Sequence, residues 1–179
     1  MQGMFRDSNF NGNIASWEVS RVASFSNMFR LSSFNTDIGA WDVANATDFS
    51  FMFYNSDFNQ NIDAWSPNSA ETMESMFELA RFYNQNLCAW GAHFETVLDN
   101  VGNMFLDSGC PNTGNPMLAA TPVSPLCYTC HPAFTTKSEL QAEIDSWLNG
   151  PGVSVRIQRN FLSSPRSASM HLTMLLVFQ

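Results

Sequence analysis

The sequence predicts an α/β solenoid of the leucine-rich-repeat type, built from repeats of about 24 residues with a stacked aromatic core. Three observations predict it. A Met-Phe dipeptide recurs at regular steps, and Phe, Asn, Ile and Trp follow it in constant order. Charged residues make up only 13% of the chain, whereas Phe takes 16 of its 179 positions. Such a chain must bury many rings while it exposes few charges, which suits stacked repeats better than a charge-coated helical bundle.

The repeat is carried by columns of identical or similar residues. Met-Phe begins at residues 4, 28, 52 and 76, and a fifth copy begins 28 residues later, at 104. We expect the residues that follow to stack into a core ladder, with an amide ladder beside it. The columns are Phe10, Phe34, Phe58 and Phe82; Asn11, Asn35, Asn59 and Asn84; Ile14, Ile38, Ile62 and Leu87; and Trp17, Trp41, Trp65 and Trp90.

Each repeat is predicted to contain a short strand and a short α or 3₁₀ turn. The stretch from Asn61 to Trp65 is typical of the strand, and Ala46 to Phe53 has apolar residues at helical spacing. Four to five such repeats would give an array about 20 Å long. Because Met1 stands so close to Met4, we expect the array to be incomplete at its N-terminus.

The composition divides the chain into four regions. Residues 1–109 hold the repeats, and residues 110–132 form a cap or linker rich in Cys and Pro. Residues 133–149 predict an amphipathic helix that opens on a capping box, Thr136 followed by Glu139. Residues 150–179 have no acidic residue and no period, so we expect a disordered or misread tail.

The charge of the chain limits its partners. A net charge of −8 disfavours nucleic acid and anionic lipid, both of which require a basic face. The sequence shows no signal peptide and no apolar run long enough for a membrane span. Nothing in it indicates oligomerisation, and an unknown protein or glycan is the expected partner.

The stretch "FNTDIGAWDVANATDFSFMF", residues 34–53, resembles the BspA-like or DUF285 leucine-rich-repeat surface proteins of bacteria and algae. The resemblance runs from Met4 to about Phe105. It implies an extracellular or cell-surface solenoid for adhesion or recognition, with no known catalysis. The phrase Leu87-Cys88-Ala89-Trp90, followed by Asp107-Ser108-Gly109-Cys110, is similar to algal, diatom-type members whose array ends in a Cys-bearing cap.

All four cysteines lie between Cys88 and Cys130, at the end of the array, and they predict two disulfides. They are Cys88, Cys110, Cys127 and Cys130, and they allow three pairings. Clustered, even-numbered cysteines in a surface protein favour bridges over free thiols. We favour the pairing Cys88–Cys110 with Cys127–Cys130, although the sequence leaves all three open.

The motif Cys127-Tyr128-Thr129-Cys130-His131 also fits the attachment site of a c-type haem. This makes a small electron-transfer protein the alternative function. The motif lies among prolines rather than in an apolar pocket, and a second pair of zinc ligands lacks the required spacing. We therefore expect no cofactor and no metal. The three histidines have no patterned nucleophile or carboxylate, so we expect no catalytic residues and no enzyme.

The leading hypothesis is a non-enzymatic cell-surface or secreted module for adhesion or protein recognition, or a structural scaffold. Positions that vary between repeats are the candidates for facing a partner, and a sequon begins at Asn45 as a candidate glycosylation site. The variable positions are Arg6, Arg30, Tyr54 and Glu78 after Met-Phe, and Ser24, Asp48 and Thr72 before it.

Overall fold

The computed structural model describes residues 1–93, 100–118 and 125–130, together with residues 138 and 141. The chain divides into two compact units, Met1–Pro132 and Ala133–Gln179. In the described residues of the first unit, regular structure consists of a 3₁₀ helix, Cys88–His93, and isolated β-bridges. The bridges are parallel for Ser24–Asp48, Asp48–Thr72 and Thr72–Asn100, and antiparallel for Leu126–Tyr128.

Backbone hydrogen bonds hold consecutive repeats in register. Next to each parallel bridge, the N–H groups of alternate residues donate to C=O groups of the following repeat. The bonds that leave the second repeat run from Phe25 to Asp48 at 2.9 Å, Asn27 to Ser50 at 3.0 Å and Phe29 to Met52 at 2.9 Å. The N–H groups between them close turns within their own repeat, as Met28 does with the C=O of Phe25 at 3.0 Å. Every residue of this segment is thus bonded although no continuous strand forms.

Left-handed residues explain why this segment is a chain of turns. Each repeat has two, one before the Met of Met-Phe and one three residues after it, and neither can continue an α-helix. Between Ala46 and Phe53, the apolar spacing that predicts a helix therefore belongs to successive turns. The left-handed residues, with φ from 46° to 61°, are Gly3, Asn27, Phe51, Ser75 and Asn103 in the first position and Asp7, Leu31, Asn55, Leu79 and Asp107 in the second.

The stretch from Asn61 to Trp65, where the sequence predicts a strand, is also a turn. The Asn61 side chain accepts from the N–H of Asp63 at 2.9 Å, and the N–H of Trp65 donates to the C=O of Ile62 at 3.1 Å. An Asn side chain at this position offers the backbone a local partner and so competes with strand pairing. Because the described residues carry isolated bridges rather than strands, the solenoid class stays a prediction.

Two columns of rings interleave in the core. In one column, Phe5, Phe29, Phe53, Phe77 and Phe105 follow each other with centroids 5.5 to 5.7 Å apart. In the other, Phe10, Phe34, Phe58 and Tyr83 do so at 6.1 to 6.2 Å. The two columns meet within each repeat, where Phe53 and Phe58 stack at 4.0 Å. Offset stacks of this kind add to the free energy gained by burying the rings.

A third column consists of tryptophans that also bond to the backbone. Trp41, Trp65 and Trp90 are buried and stack at 6.4 and 6.1 Å. Each indole Nε1 donates to a C=O of the preceding repeat: Trp41 to Ile14 at 3.1 Å, Trp65 to Ile38 at 3.0 Å and Trp90 to Ile62 at 3.0 Å. Trp17 is partly buried and lies 5.9 Å from Phe5. The polar atom of each buried indole is thereby satisfied.

The predicted core position of Phe82 is wrong. Phe82 exposes 63% of its surface, whereas Tyr83 is fully buried and stacks on Phe58 at 6.2 Å and on Phe77 at 3.9 Å. The fourth repeat has one more residue between Met-Phe and Asn84 than the earlier repeats have. Since the ring columns and the asparagines hold their register, this extra residue moves Phe82 out and Tyr83 in.

All four cysteines form disulfides, but the favoured pairing is wrong. Cys88 bonds to Cys130 and Cys110 bonds to Cys127, with Cα atoms 5.4 and 5.0 Å apart. Cys127 and Cys130 are both buried in the core, and each bonds to a cysteine distant in sequence rather than to the other. The N–H of Leu87 donates to the C=O of Leu126 at 3.3 Å. Residues 125–130 therefore lie against the fourth repeat.

Residue 115 covers part of the last Met-Phe segment. The side chain of Asn115 accepts from the N–H of Asn103 at 2.8 Å, in the place that a further repeat would take. In the second unit, the structure describes Ser138 and Gln141, which are helical and exposed. The rest of the predicted helix at 133–149, the tail at 150–179 and His131 lie outside the described residues.

The pairing of the cysteines can be checked by peptide mapping. Proteolysis without reduction, followed by mass spectrometry, is expected to yield peptides that link Cys88 to Cys130 and Cys110 to Cys127, because these sulfur atoms are bonded. A reduced sample is the control and should show only single peptides. A peptide that links Cys88 to Cys110 would contradict the structure.

Replacing Tyr83 by Phe is expected to stabilise the chain by about 1 kcal/mol, because the buried hydroxyl has no hydrogen-bond partner among the described residues. Burial, and then the charge of Asp63, raise the pKa of Tyr83 well above its ordinary value. Above pH of about 10 the unfolded chain therefore ionises first and stability falls, and Y83F removes this loss. Denaturant unfolding at neutral and alkaline pH measures both effects. Equal stability of the two proteins at all pH values would contradict the buried hydroxyl.

Candidate functional site

Among the described residues, the side chains most often used in catalysis are dispersed or already bonded. They contain no group of three or more His, Cys, Asp or Glu placed to hold a metal ion. His93 contacts the side chain of Asn68 at 2.7 Å, and all four cysteine sulfurs are bonded. A shallow depression of about 140 Å³ beside Trp17 and Asp42 is smaller than the roughly 300 Å³ of an ordinary ligand pocket.

One surface ladder consists of asparagine side chains. The Oδ1 atom of Asn11 accepts from the N–H of Asn35 at 2.8 Å, Asn35 does the same for Asn59 at 2.8 Å, and Asn59 does so for Asn84 at 3.1 Å. Asn11, Asn35 and Asn84 are exposed. The ladder thus lies at an outer edge and joins side chain to backbone. Its amide oxygens are engaged in holding repeats together, which leaves them little capacity for a partner.

The three candidates before Met-Phe are also occupied. Ser24, Asp48 and Thr72 are the residues of the parallel bridges, and each is partly buried. The hydroxyl of Ser24 donates to Asp48 at 3.1 Å, and Asp48 also accepts from the hydroxyl of Ser50 at 2.6 Å. This column of short polar side chains therefore joins the repeats to one another.

The candidates after Met-Phe differ from repeat to repeat in what they contact. Arg6 is exposed and pairs with the neighbouring Asp7 at 3.2 Å, a contact of little energetic weight. The guanidinium of Arg30 lies over two rings, 5.0 Å from the centre of Tyr54 and 5.8 Å from that of Phe51. Glu78 is partly buried. Two of the predicted residues, Arg30 and Tyr54, thus contact each other, and Phe51, which was not predicted, contacts Arg30 as well.

Phe51 is the residue that sequence reasoning missed. It occupies the left-handed position before Met-Phe, where the other repeats have Gly3, Asn27, Ser75 and Asn103. Alignment of the repeats would have shown a bulky ring in a column of Gly, Asn and Ser. The predicted partner-facing positions lie two residues after and four residues before each Met, whereas Phe51 lies one residue before it.

Asn45 is exposed, and its side-chain nitrogen donates to the C=O of Ser20 at 2.9 Å. Ala46, the central residue of the sequon, is fully buried, whereas Thr47 is only partly so. Glycosylation at Asn45 would replace one of the two hydrogens of this nitrogen, and it stays a prediction.

No helix of the described residues is both long and apolar enough to cross a membrane. Two disulfides in one chain are compatible with an extracellular protein.

Comparison with known protein families gives a match over the repeats. The family model described as "Mycoplasma protein of unknown function, DUF285" matches residues 1–114, which include all five Met-Phe repeats. No curated protein matches the chain, and no solved structure does. Because the match covers more than half of the 179 residues, the chain belongs to the DUF285 family, which is BspA-like and of unknown function.

Proposed function

We propose that this chain is a non-enzymatic repeat module of the cell surface or the secreted space, used for adhesion or protein recognition. Its architecture would be a leucine-rich-repeat-like α/β solenoid. The single observation that best supports this proposal is the register of the repeats. Identical core residues stack on one another, while Arg6, Arg30, Tyr54 and Glu78 vary at one equivalent position.

The core and the surface have separate tasks in this proposal. Stacked rings and inter-repeat hydrogen bonds fix the backbone, so a change at a variable position alters the surface without altering the fold. Repeat proteins generally bind through such extended surfaces. A structural scaffold would need the same core, and it is distinguished by the absence of a binding partner.

The cysteines support a location in an oxidising compartment. Disulfides persist outside the cell and are rare in the reducing cytosol, and here two of them link the fourth and fifth repeats to the segment after the array. We include in the proposal that this segment is a Cys-bearing cap of the algal, diatom type. Its support is that Leu126 and Cys127 are fully buried.

The proposed location and role can be tested on cells that produce the chain. Antibodies are expected to label intact cells without permeabilisation, and beads coated with the folded chain should adhere to the material outside those cells. Beads coated with reduced and alkylated chain are the control. Labelling only after permeabilisation would overturn the proposed location. Labelling of intact cells without bead adhesion would overturn the adhesive role and favour a structural scaffold.

The alternative, a c-type haem protein, makes a separate prediction. Attachment would require free thiols at Cys127 and Cys130, both of which are bonded to other cysteines here. The chain produced in a host that matures cytochromes c is therefore expected to show no Soret absorbance. An authentic c-type cytochrome from the same host is the control. Covalently bound haem in the purified chain would favour the alternative and contradict the disulfide pairing.

A further inference from the structure

One cluster on the surface departs from the regularity of the repeats. Arg30, Phe51 and Tyr54 come from the second and third repeats, and the two rings lie 5.8 Å apart at an angle of 54°. The guanidinium of Arg30 lies 5.0 Å from the centre of Tyr54 and 5.8 Å from that of Phe51. All three side chains are partly buried. The guanidinium is thereby held in one place by two aromatic rings.

Arg30 has no anionic partner in the part of the chain that the structure describes, although the chain carries 16 acidic residues. Its Nε atom is buried and makes no hydrogen bond there. The rings compensate for part of the hydration that the buried Nε loses, and the other donors of the guanidinium favour a carboxylate placed against them. The positive charge is therefore fixed in position and unpaired.

Phe51 is held in a strained backbone conformation. Its φ of 57° lies in the left-handed region, which is unfavourable for a bulky residue. The equivalent residues, Gly3, Asn27, Ser75 and Asn103, include the types that adopt this conformation most easily. A ring at this position costs stability, and its visible contacts at the surface are with Tyr54 and Arg30. The left-handed position itself recurs in every Met-Phe repeat and belongs to the fold, so the ring placed there is what distinguishes the third repeat.

We propose that Arg30, Phe51 and Tyr54 form a subsite for a carboxylate-bearing sugar, a uronic acid residue within a glycan. This inference rests on the proposed function and specifies the class of partner. The planar guanidinium matches a carboxylate with two parallel hydrogen bonds, and the aromatic rings offer an apolar surface to the C–H groups of the sugar. Two asparagines lie close to the cluster in the repeats. Asn27 takes the position of Phe51 in the preceding repeat, and Asn55 follows Tyr54 directly.

The backbone around the cluster argues against an extended peptide as the partner. A peptide that adds to a sheet edge needs free N–H and C=O groups. Here those groups are used between repeats: Phe29 donates to Met52 at 2.9 Å, Leu31 to Tyr54 at 2.8 Å and Asn55 to Glu78 at 2.8 Å. A partner must therefore contact the side chains of this protein rather than its backbone. The hydroxyl groups and carboxylate of a glycan can do so.

The net charge limits how acidic the glycan can be. The chain has a net charge of −8, and Glu78 takes the position of Tyr54 in the following repeat. A dense polyanion, such as a heavily sulfated glycan, is therefore repelled. A single fixed guanidinium suits one carboxylate among neutral sugars. The partner is thus a glycan in which uronic acid alternates with neutral residues.

The test is calorimetric titration of the full chain with a tetrasaccharide that alternates glucuronic acid with a neutral sugar. The same tetrasaccharide with its carboxylates reduced to alcohols is the matched probe. We expect the acidic probe to bind about tenfold or more tightly than the neutral probe, as charge-assisted hydrogen bonds predict. Arg30→Gln should abolish this difference, and Arg30→Lys should restore only part of it because it lacks the planar fork.

Two further variants separate binding from folding. Phe51→Asn introduces the residue that Asn27 and Asn103 already place at this φ, so it should unfold no more easily than the wild type yet bind the acidic probe more weakly. Arg21→Gln removes an exposed arginine outside the cluster and should leave binding unchanged. Thermal unfolding of each variant establishes that it is folded.

Three results would overturn the inference. They are equal affinity for the acidic and neutral probes, unchanged binding by Arg30→Gln, and binding of a peptide with one aspartate in place of the glycan. If antibodies label intact cells and beads coated with the chain adhere, but the chain binds neither sugar, the proposed function stands and this subsite does not. A chain found only inside cells would lose the proposed function, whatever the titration shows.

Discussion

The structure depends on the register in which each repeat lies against the next. Rings of one column follow each other at 5.5 to 5.7 Å, and the N–H groups beside them donate to C=O groups of the following repeat at close to 2.9 Å. Both sets of contacts require equivalent residues to face each other. A slip by one residue would remove the rings from their columns and the hydrogen bonds from their partners, so the two constraints reinforce each other.

This register also explains how a chain with few charges satisfies its buried polar groups. Indole nitrogens of Trp41, Trp65 and Trp90 donate to backbone oxygens of the preceding repeat, and asparagine side chains do the corresponding work at the outer edge. Amides and indoles can be satisfied one repeat away without the desolvation cost of a charge. Among the described residues the exceptions are the Nε atom of Arg30 and the hydroxyl of Tyr83, which enters a column otherwise occupied by phenylalanine.

Once the core fixes the backbone, surface positions are free to differ between repeats. Most of the polar columns are used to join repeats, as the bridges at Ser24, Asp48 and Thr72 show. The cluster of Arg30, Phe51 and Tyr54 places over two rings a cation that has no anionic partner in the part of the chain that the structure describes. A surface of this kind is formed by residues from two repeats and exists only when they are stacked.

The sequence by itself determined the period, the family and most of the residues of the core, because rare residues such as Trp41 and Trp65 recur in phase. Only the tertiary structure decided the exchange of Phe82 for Tyr83, since an inserted residue can be absorbed before or after a ring. It likewise decided the cysteine pairing, because sequence distance says little about which sulfurs meet once a loop folds back. The contact between Arg30 and Phe51 was likewise decided by the tertiary structure, because these residues are 21 positions apart in the chain and meet only across stacked repeats.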